Sequence, residues 1–132
     1  MNRRFTFDFE FFDFFEGMCF IISENGKILS CNKACINKLN AGLNKLNFYE
    51  IVENSEKDIL KDAVNDCIQK QRSMNHHTKF KIGEEQMYVD LFISPYKTSE
   101  NGTTTENNCF IIAFNVTDKK ERKEDLQRFF YV

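Results

Sequence analysis

The chain has 132 residues and a formal net charge of -2, from 18 basic and 20 acidic side chains. This length fits one domain with a real hydrophobic core, and the balanced charge excludes the basic surface that nucleic acid or an anionic membrane would require. No apolar run approaches the roughly 20 residues of a membrane span. Arg3 and Arg4 resemble the start of a signal peptide, but Asp8, Glu10 and Asp13 would interrupt its apolar core. We therefore expect a cytoplasmic protein.

The first sixteen residues carry a Phe-rich segment whose periodicity is ambiguous. Phenylalanines at every second position from 5 to 11 fit a strand, whereas the spacing of Phe5, Phe9 and Phe12 fits a helix. Because the segment that follows is a better strand, we favour an amphipathic helix that ends at Gly17. Residues 1–16 are therefore assigned to an N-terminal helical segment.

A tight antiparallel hairpin is predicted next. Met18–Ser23 and Ile28–Cys31 are short apolar runs, and the Asn25-Gly26 dipeptide between them is the strongest short-range signal for a hairpin turn. The chain should therefore enter its sheet with two neighbouring strands.

A helical block separates this hairpin from the remaining strands. Asn32 can cap a helix over Lys33–Leu39, and Leu46–Val52 is typical of a short helical turn. Ser55 and Asp58 have the spacing of a helix start. The helix that they open has an apolar stripe with three-four spacing, formed by Ile59, Leu60, Ala63, Val64, Cys67 and Ile68.

From Met74 onward, apolar and polar residues alternate with a period of two, which predicts two strands joined by a turn at Gly83. Pro95 is expected to end the second of these strands, the fourth in the chain. Lys97–Asn107 has no apolar anchors and is predicted to be a mobile polar loop. Cys109–Val116 is largely apolar, which predicts a central fifth strand.

A final helix should begin at Asp118, where the capping-box spacing recurs, and run to the chain end. The element order is thus helix, two strands, helical block, three strands, helix. It predicts an α+β fold with a five-stranded antiparallel sheet covered by helices on one face.

Three local motifs carry a resemblance to a known family. The first is an apolar strand that leads into Asn32 and a helix, and the second is the Gly83 turn between two long strands. The third is Asn115-Val116-Thr117-Asp118-Lys119-Lys120, which is similar to the Asp-Ile-Thr-[Asp/Glu]-x-Lys signature of PAS sensor domains. Asn115 replaces the signature aspartate and lacks the charge that a charge-dependent switch would need. Over nearly its whole length the chain resembles a PAS domain.

The resemblance implies a PAS core over residues 17–117 and a signalling helix over 118–132. Between them it implies a hinge formed by Asn115, Val116, Thr117 and Asp118. Leu126–Val132 also resembles the run before the phosphoacceptor helix of sensor histidine kinases, although an ordinary amphipathic helix fits equally well. If that likeness holds, the chain is the input domain of a longer protein.

A PAS-like fold encloses a cavity between sheet and helices, and strand alternation predicts the side chains that face it. These candidate pocket residues are Ile21, Ser23, Cys31, Leu39, Ile51, Leu60, Val64, Phe80, Val89, Leu91, Ile93, Ile111, Ala113 and Asn115. Their almost wholly apolar character fits a pocket for a small apolar ligand. It fits a filled core equally well, and we favour the filled core.

No cofactor or metal site is predicted. Leu46–Ile51 lacks the reactive cysteine that flavin-binding members of the family carry there, and residues 56–71 contain no histidine that could serve as an axial heme ligand. His76 and His77 are adjacent on a strand, so at most one faces inward. It could ligate heme or sense pH near 6.5, but we expect partly exposed strand residues.

The five cysteines, at positions 19, 31, 35, 67 and 109, are odd in number and include no Cys-x-x-Cys pair. They predict reduced, mostly buried thiols rather than disulfides or zinc ligands.

The resemblance implies a sensor that is not itself an enzyme, and the sequence contains no catalytic motif that we recognise. We expect it to relay a ligand or dimer signal through its C-terminal helix to an output domain in the same chain, a histidine kinase of a two-component system or a diguanylate cyclase. The N- and C-terminal helices are the expected homodimer contact. The alternative is a ligand-free dimerisation or protein-interaction module.

Overall fold

The computed structural model describes residues 15, 17–39, 46–100 and 103–118, and for residues 98–100 and 103–106 it describes the backbone alone. Within these ranges one antiparallel sheet contains β1 (Met18–Ser23), β2 (Ile28–Cys31), β3 (Met74–Ile82), β4 (Glu85–Glu100) and β5 (Thr103–Asn115). The strand order is β2-β1-β5-β4-β3, so β5 is central as predicted. The helices are α1 (Lys33–Leu39) and α2 (Lys57–Lys70), with 3-10 turns at Phe48–Ile51 and Asn54–Glu56. The predicted α+β class and five-stranded sheet are confirmed.

The turn between β1 and β2 contains a position, Gly26, that only glycine can occupy. Gly26 has φ +88°, and its N–H donates to the Ser23 carbonyl at 2.9 Å. A Cβ atom there would lie 2.5 Å from both the Asn47 Oδ1 atom and a Tyr49 ring carbon. The Asn-Gly turn is therefore set by its backbone angle and by the 3-10 turn packed over it.

One face of the sheet and the helices share a single apolar core. Cross-strand pairing places Phe20 opposite Ile111, and Ile111 opposite Ile93, so these three side chains lie on the same face. The α2 side chains buried in this core are Leu60, Val64, Cys67 and Ile68. The predicted apolar stripe of α2 is confirmed at these four positions, whereas Ile59, which was predicted to belong to it, is exposed.

The strands β4 and β5 extend beyond the predicted fourth and fifth strands. Pro95 does not end β4, and the predicted mobile loop at Lys97–Asn107 is wrong, because the strands pair from Val89↔Asn115 to Glu100↔Thr103. Proline is tolerated on a strand flank where no neighbour needs its missing N–H. The β3 ladder stops at Ile93, which leaves that flank of Pro95 open.

The start of α2 also differs from the prediction. Ser55 does not cap it; the residue before the helix is Glu56, which makes no side-chain capping bond. The 3-10 turn at Asn54–Glu56 runs straight into the helix, with the Glu56 N–H donating to the Glu53 carbonyl at 2.9 Å. The preceding turn, rather than a side-chain cap, thus leads into the helix.

The helix predicted over residues 5–16 falls outside the described residues except for Phe15. The continuation of the C-terminal helix over 119–132 does so as well. Thr117 and Asp118 are helical, in agreement with a helix that starts near Asp118. The domain boundaries remain predictions.

Candidate ligand cavity and hinge

Most of the predicted pocket side chains lie in a filled core. The buried ones are Leu39, Ile51, Leu60, Val64, Phe80, Val89, Leu91, Ile93, Ile111 and Ala113. Cys31 is half-buried and packs against them. The Phe48 ring lies 5.2 Å from that of Phe20 and 5.9 Å from that of Phe80, centroid to centroid, in edge-to-face contacts. These three fully buried rings occupy the middle of the region between sheet and helices.

The predicted orientation of Ile21 and Ser23 is wrong. Ile21 pairs with Phe110 and Ser23 with Asn108, which places both on the sheet face opposite the helices. Phe20 and Ile22 point into the core instead. Met18–Ile22 is apolar at every position, so alternation could not fix which residues face inward.

An open cavity of about 460 Å³ lies at one end of the sheet, against α1. Its lining comes from the start of β1, from α1, from the start of β4 and from the end of β5: Gly17, Met18, Ala34, Asn37, Lys38, Met87, Ala113 and Asn115. Of the predicted pocket residues, Ala113 and Asn115 line it. The other six were not predicted as pocket residues, because they lie on separate elements that only the tertiary fold brings together.

Asn32 fixes α1 against the sheet and so shapes this cavity. Its Oδ1 atom accepts from the backbone N–H of Cys19 at 3.0 Å and of Cys35 at 3.3 Å, and its Nδ2 atom donates to the Gly17 carbonyl at 2.9 Å. The predicted helix cap is confirmed, and the same side chain also bonds β1 and Gly17.

An ion pair joins α1 to the start of β4 beside the cavity. The Lys38 Nζ atom lies 2.9 Å from Glu85 Oε1 and 2.7 Å from Glu85 Oε2. Both side chains are partly exposed, so the pair contributes on the order of 0–1 kcal/mol to stability. Its greater effect is to hold the ammonium group of Lys38 at the edge of the cavity, where it is the one charged side chain among the described lining residues.

The predicted hinge is hydrogen-bonded to β4. The Val116 N–H donates to the Tyr88 carbonyl at 2.9 Å, and the Tyr88 N–H donates to Thr117 Oγ1 at 3.0 Å. Asn115 Oδ1 accepts from the Thr117 N–H at 3.0 Å, while Asn115 Nδ2 lies 3.4 Å from Met87 Sδ on the cavity wall. Asn115 is therefore a hinge residue that also lines the cavity.

The two histidines occupy different environments. His77 is exposed and pairs with Asp90, whereas His76 is half-buried. Burial lowers the pKa of His76, and the nearby Glu56 carboxylate opposes that shift. Within the described ranges no three His, Cys, Asp or Glu side chains come together as metal ligands.

All five cysteines are free thiols, as predicted, and four are fully buried. Burial raises the pKa of Cys19 to about 12 and raises the pKa of Cys35, Cys67 and Cys109 above the ordinary value of 9.0. Thiols that stay protonated are poor nucleophiles, so this set points to packing rather than to reactivity.

None of the helices in the described part of the chain has the length and apolar character that a membrane crossing needs.

Comparison with known proteins identifies the fold. No family model and no curated protein matches the sequence. The PAS domain of a protein from Colwellia psychrerythraea superposes with a TM-score of 0.69 at 12% identity, covering 83% of this chain and 93% of that one. A PAS domain from a two-component sensor histidine kinase gives 0.63 at 14% identity, covering 81% and 91%. The PAS domain of nitrogen regulation protein NR(II) from Vibrio parahaemolyticus gives 0.59 at 8%, covering 81% and 95%. At identities this low, the superpositions show a shared fold and no more.

Proposed function

We propose that this chain, which has the PAS fold, is a cytoplasmic, non-catalytic sensor module. A change in cavity occupancy or in dimer packing would alter the hinge and, through the helix that starts there, an output domain in the same chain. Such a signal can be no larger than the differential affinity of the stimulus for the two hinge states.

The hydrogen bonding of the hinge is the observation that carries this proposal. Val116 and Thr117 are bonded to Tyr88 of β4, and Thr117 is bonded to Asn115, which lines the cavity. The helix therefore leaves the sheet at a position whose hydrogen bonds depend on β4 and on a cavity residue. A displacement of either would change the direction of the helix.

A sensor histidine kinase is the output domain that we propose. Leu126–Val132 resembles the segment before a phosphoacceptor helix, and one similar structure is described as a PAS domain from a two-component sensor histidine kinase. A diguanylate cyclase domain is the alternative.

Homodimerisation belongs to the same proposal. Phe114, on the sheet face opposite the helices, is 44% exposed, and its ring centroid lies 5.6 Å from that of Phe15. This contact places Phe15, at the end of the Phe-rich N-terminal segment, beside Phe114, the second-last residue of β5 before the hinge. Contacts at this apolar patch would place the two hinges of a dimer near one another.

The rival function is a ligand-free interaction module that dimerises without signalling. Light scattering gives the dimer fraction over a concentration series, and amide hydrogen exchange at Val116 and Thr117 is measured on the same samples. We expect exchange at these amides to change as the dimer dissociates. Unchanged exchange across that transition would favour the rival, and a monomer at all concentrations into the tens of micromolar would remove the dimer from the proposal.

A further inference from the structure

We infer that the sheet-end cavity binds a small amphiphilic anion, a carboxylate carried on a short aliphatic chain. This inference names the ligand class for the sensor and so rests on the proposed function. It also places the binding site at the end of the sheet beside the hinge, whereas the sequence predicted a candidate pocket in the middle of the core and favoured a filled core there.

The size and the apolar lining residues of the cavity fit an aliphatic chain. Its volume of about 460 Å³ lies within the range of roughly 300–1,000 Å³ that is usual for small-molecule pockets. Met18, Ala34, Met87 and Ala113 give it an apolar surface. The two methionines are unbranched and adjust their shape to a guest at little cost.

The charge at the cavity favours an anion over a cation. Among the described residues that line it, Lys38 carries the one formal charge. An ammonium group has three N–H donors, and Glu85 approaches it from one side. A ligand carboxylate could therefore share Lys38 with Glu85, or replace Glu85 at that position.

Two amide side chains add hydrogen-bonding groups near the same end. Asn37 lies beside Lys38 on α1, and Asn115 lies on β5 with its Nδ2 atom turned toward Met87. Amide N–H groups can donate to a carboxylate without bringing a negative charge of their own. An aspartate at position 115 would put a repelling carboxylate on this wall, whereas asparagine does not.

Removal of Glu85 and removal of Lys38 should change the affinity for an anion in opposite directions. Because Glu85 competes with the ligand for Lys38, its removal should strengthen binding of an anion, while removal of Lys38 should weaken it. A pocket that selects by apolar contact alone would respond to neither change. The pair of substitutions therefore separates charge recognition from simple hydrophobic binding.

The test uses octanoate below its micellar concentration, with octanol and octylammonium as neutral and cationic probes. Calorimetry gives the affinities, and the methyl NMR signals of Met18 and Met87 report occupancy of the cavity. Lys38→Met should weaken octanoate binding by about three- to tenfold, and Glu85→Gln should strengthen it by about two- to fivefold. Lys70→Met is the matched control, since Lys70 is also paired with a carboxylate, that of Asp66 at 3.3 Å, on α2.

Octanoate that fails to bind, that binds no better than octanol, or that binds Lys38→Met as well as the wild type would each overturn the inference. So would binding that leaves the Met18 and Met87 signals unchanged, because the ligand would then lie elsewhere. None of these outcomes bears on hinge exchange in monomer and dimer, so the sensor proposal would stand or fall separately.

Discussion

Asn32 is a single buried side chain on which β1, α1 and Gly17 all depend. It is fully buried, and each of its two polar atoms is hydrogen-bonded. The sequence predicted its capping role from residue type and position alone. The bonds to Cys19 and Gly17 could not be predicted, because they cross 13 and 15 residues of chain and exist only once the sheet has formed.

Asn32→Ala should lower the free energy of unfolding by about 2–4 kcal/mol, because it leaves two buried N–H groups and a carbonyl without partners and removes a helix cap. Denaturant unfolding measures the change. Asn75→Ala, at an exposed position of β3, is the control and should stay within about 0.5 kcal/mol of the wild type. A loss below about 1 kcal/mol in Asn32→Ala would show that the three bonds contribute little.

Alternation could assign a face wherever polar and apolar residues take turns. It did so for Val89, Leu91 and Ile93, which are buried on the helix side. It failed for Ile21, because β1 is apolar on both faces and a shift of one residue leaves its pattern unchanged.

At the scale of elements, the hinge is the feature on which the proposed function depends. Thr117 Oγ1 accepts from the Tyr88 N–H, and its own N–H donates to Asn115. The sequence located this junction through the resemblance of residues 115–120 to a family signature. The partner strand could not be predicted, since Tyr88 lies 29 residues away.

Thr117→Val removes the hydroxyl acceptor while keeping the shape of the side chain. Amide exchange at Tyr88 should speed up by about fivefold to tenfold, which corresponds to the roughly 1 kcal/mol that one hydrogen bond contributes. Exchange-detected NMR measures it residue by residue. Asp118→Asn, one position further on, should leave Tyr88 unchanged, and equal protection of Tyr88 in Thr117→Val and wild type would contradict the hinge geometry.

The polar extension of β4 and β5 is a part of the sheet that could not be predicted from the sequence. Residues 97–107 contain no apolar anchor, and hydrophobic periodicity cannot detect a polar ribbon. Backbone pairing from Lys97↔Asn107 to Glu100↔Thr103 continues a ladder whose buried part has already fixed the register. Cooperation between neighbouring strands therefore decides the structure there.

At the scale of the whole molecule, the buried thiols and Tyr49 make stability sensitive to alkaline pH. Burial raises the pKa of Cys19 from 9.0 to about 12 and that of Tyr49 from 10.0 to about 12. Both groups stay neutral in the folded state at pH values where the unfolded chain releases their protons. Their stabilising effect is complete below pH 9 and is lost as the pH rises toward 12.

The free energy of unfolding should therefore fall by on the order of 1 kcal/mol per pH unit for each group, from about pH 9 for Cys19 and from about pH 10 for Tyr49, up to pH 12. Urea titrations at fixed ionic strength measure this slope. Cys19→Ala removes one of the ionising groups and should make the slope shallower. A stability that is flat from pH 9 to pH 12 would contradict the burial of these groups.

The central claim is that the hinge responds to the cavity at the end of the sheet. The most direct measurement is amide exchange at Thr117 in the wild-type chain, first without ligand and then with saturating octanoate. Because Asn115 contacts both the cavity and the Thr117 N–H, we predict that Thr117 exchange changes by about tenfold, whereas amides on α2, such as that of Asp66, keep their rates. Saturated Met18 and Met87 signals together with an unchanged Thr117 rate would contradict the account.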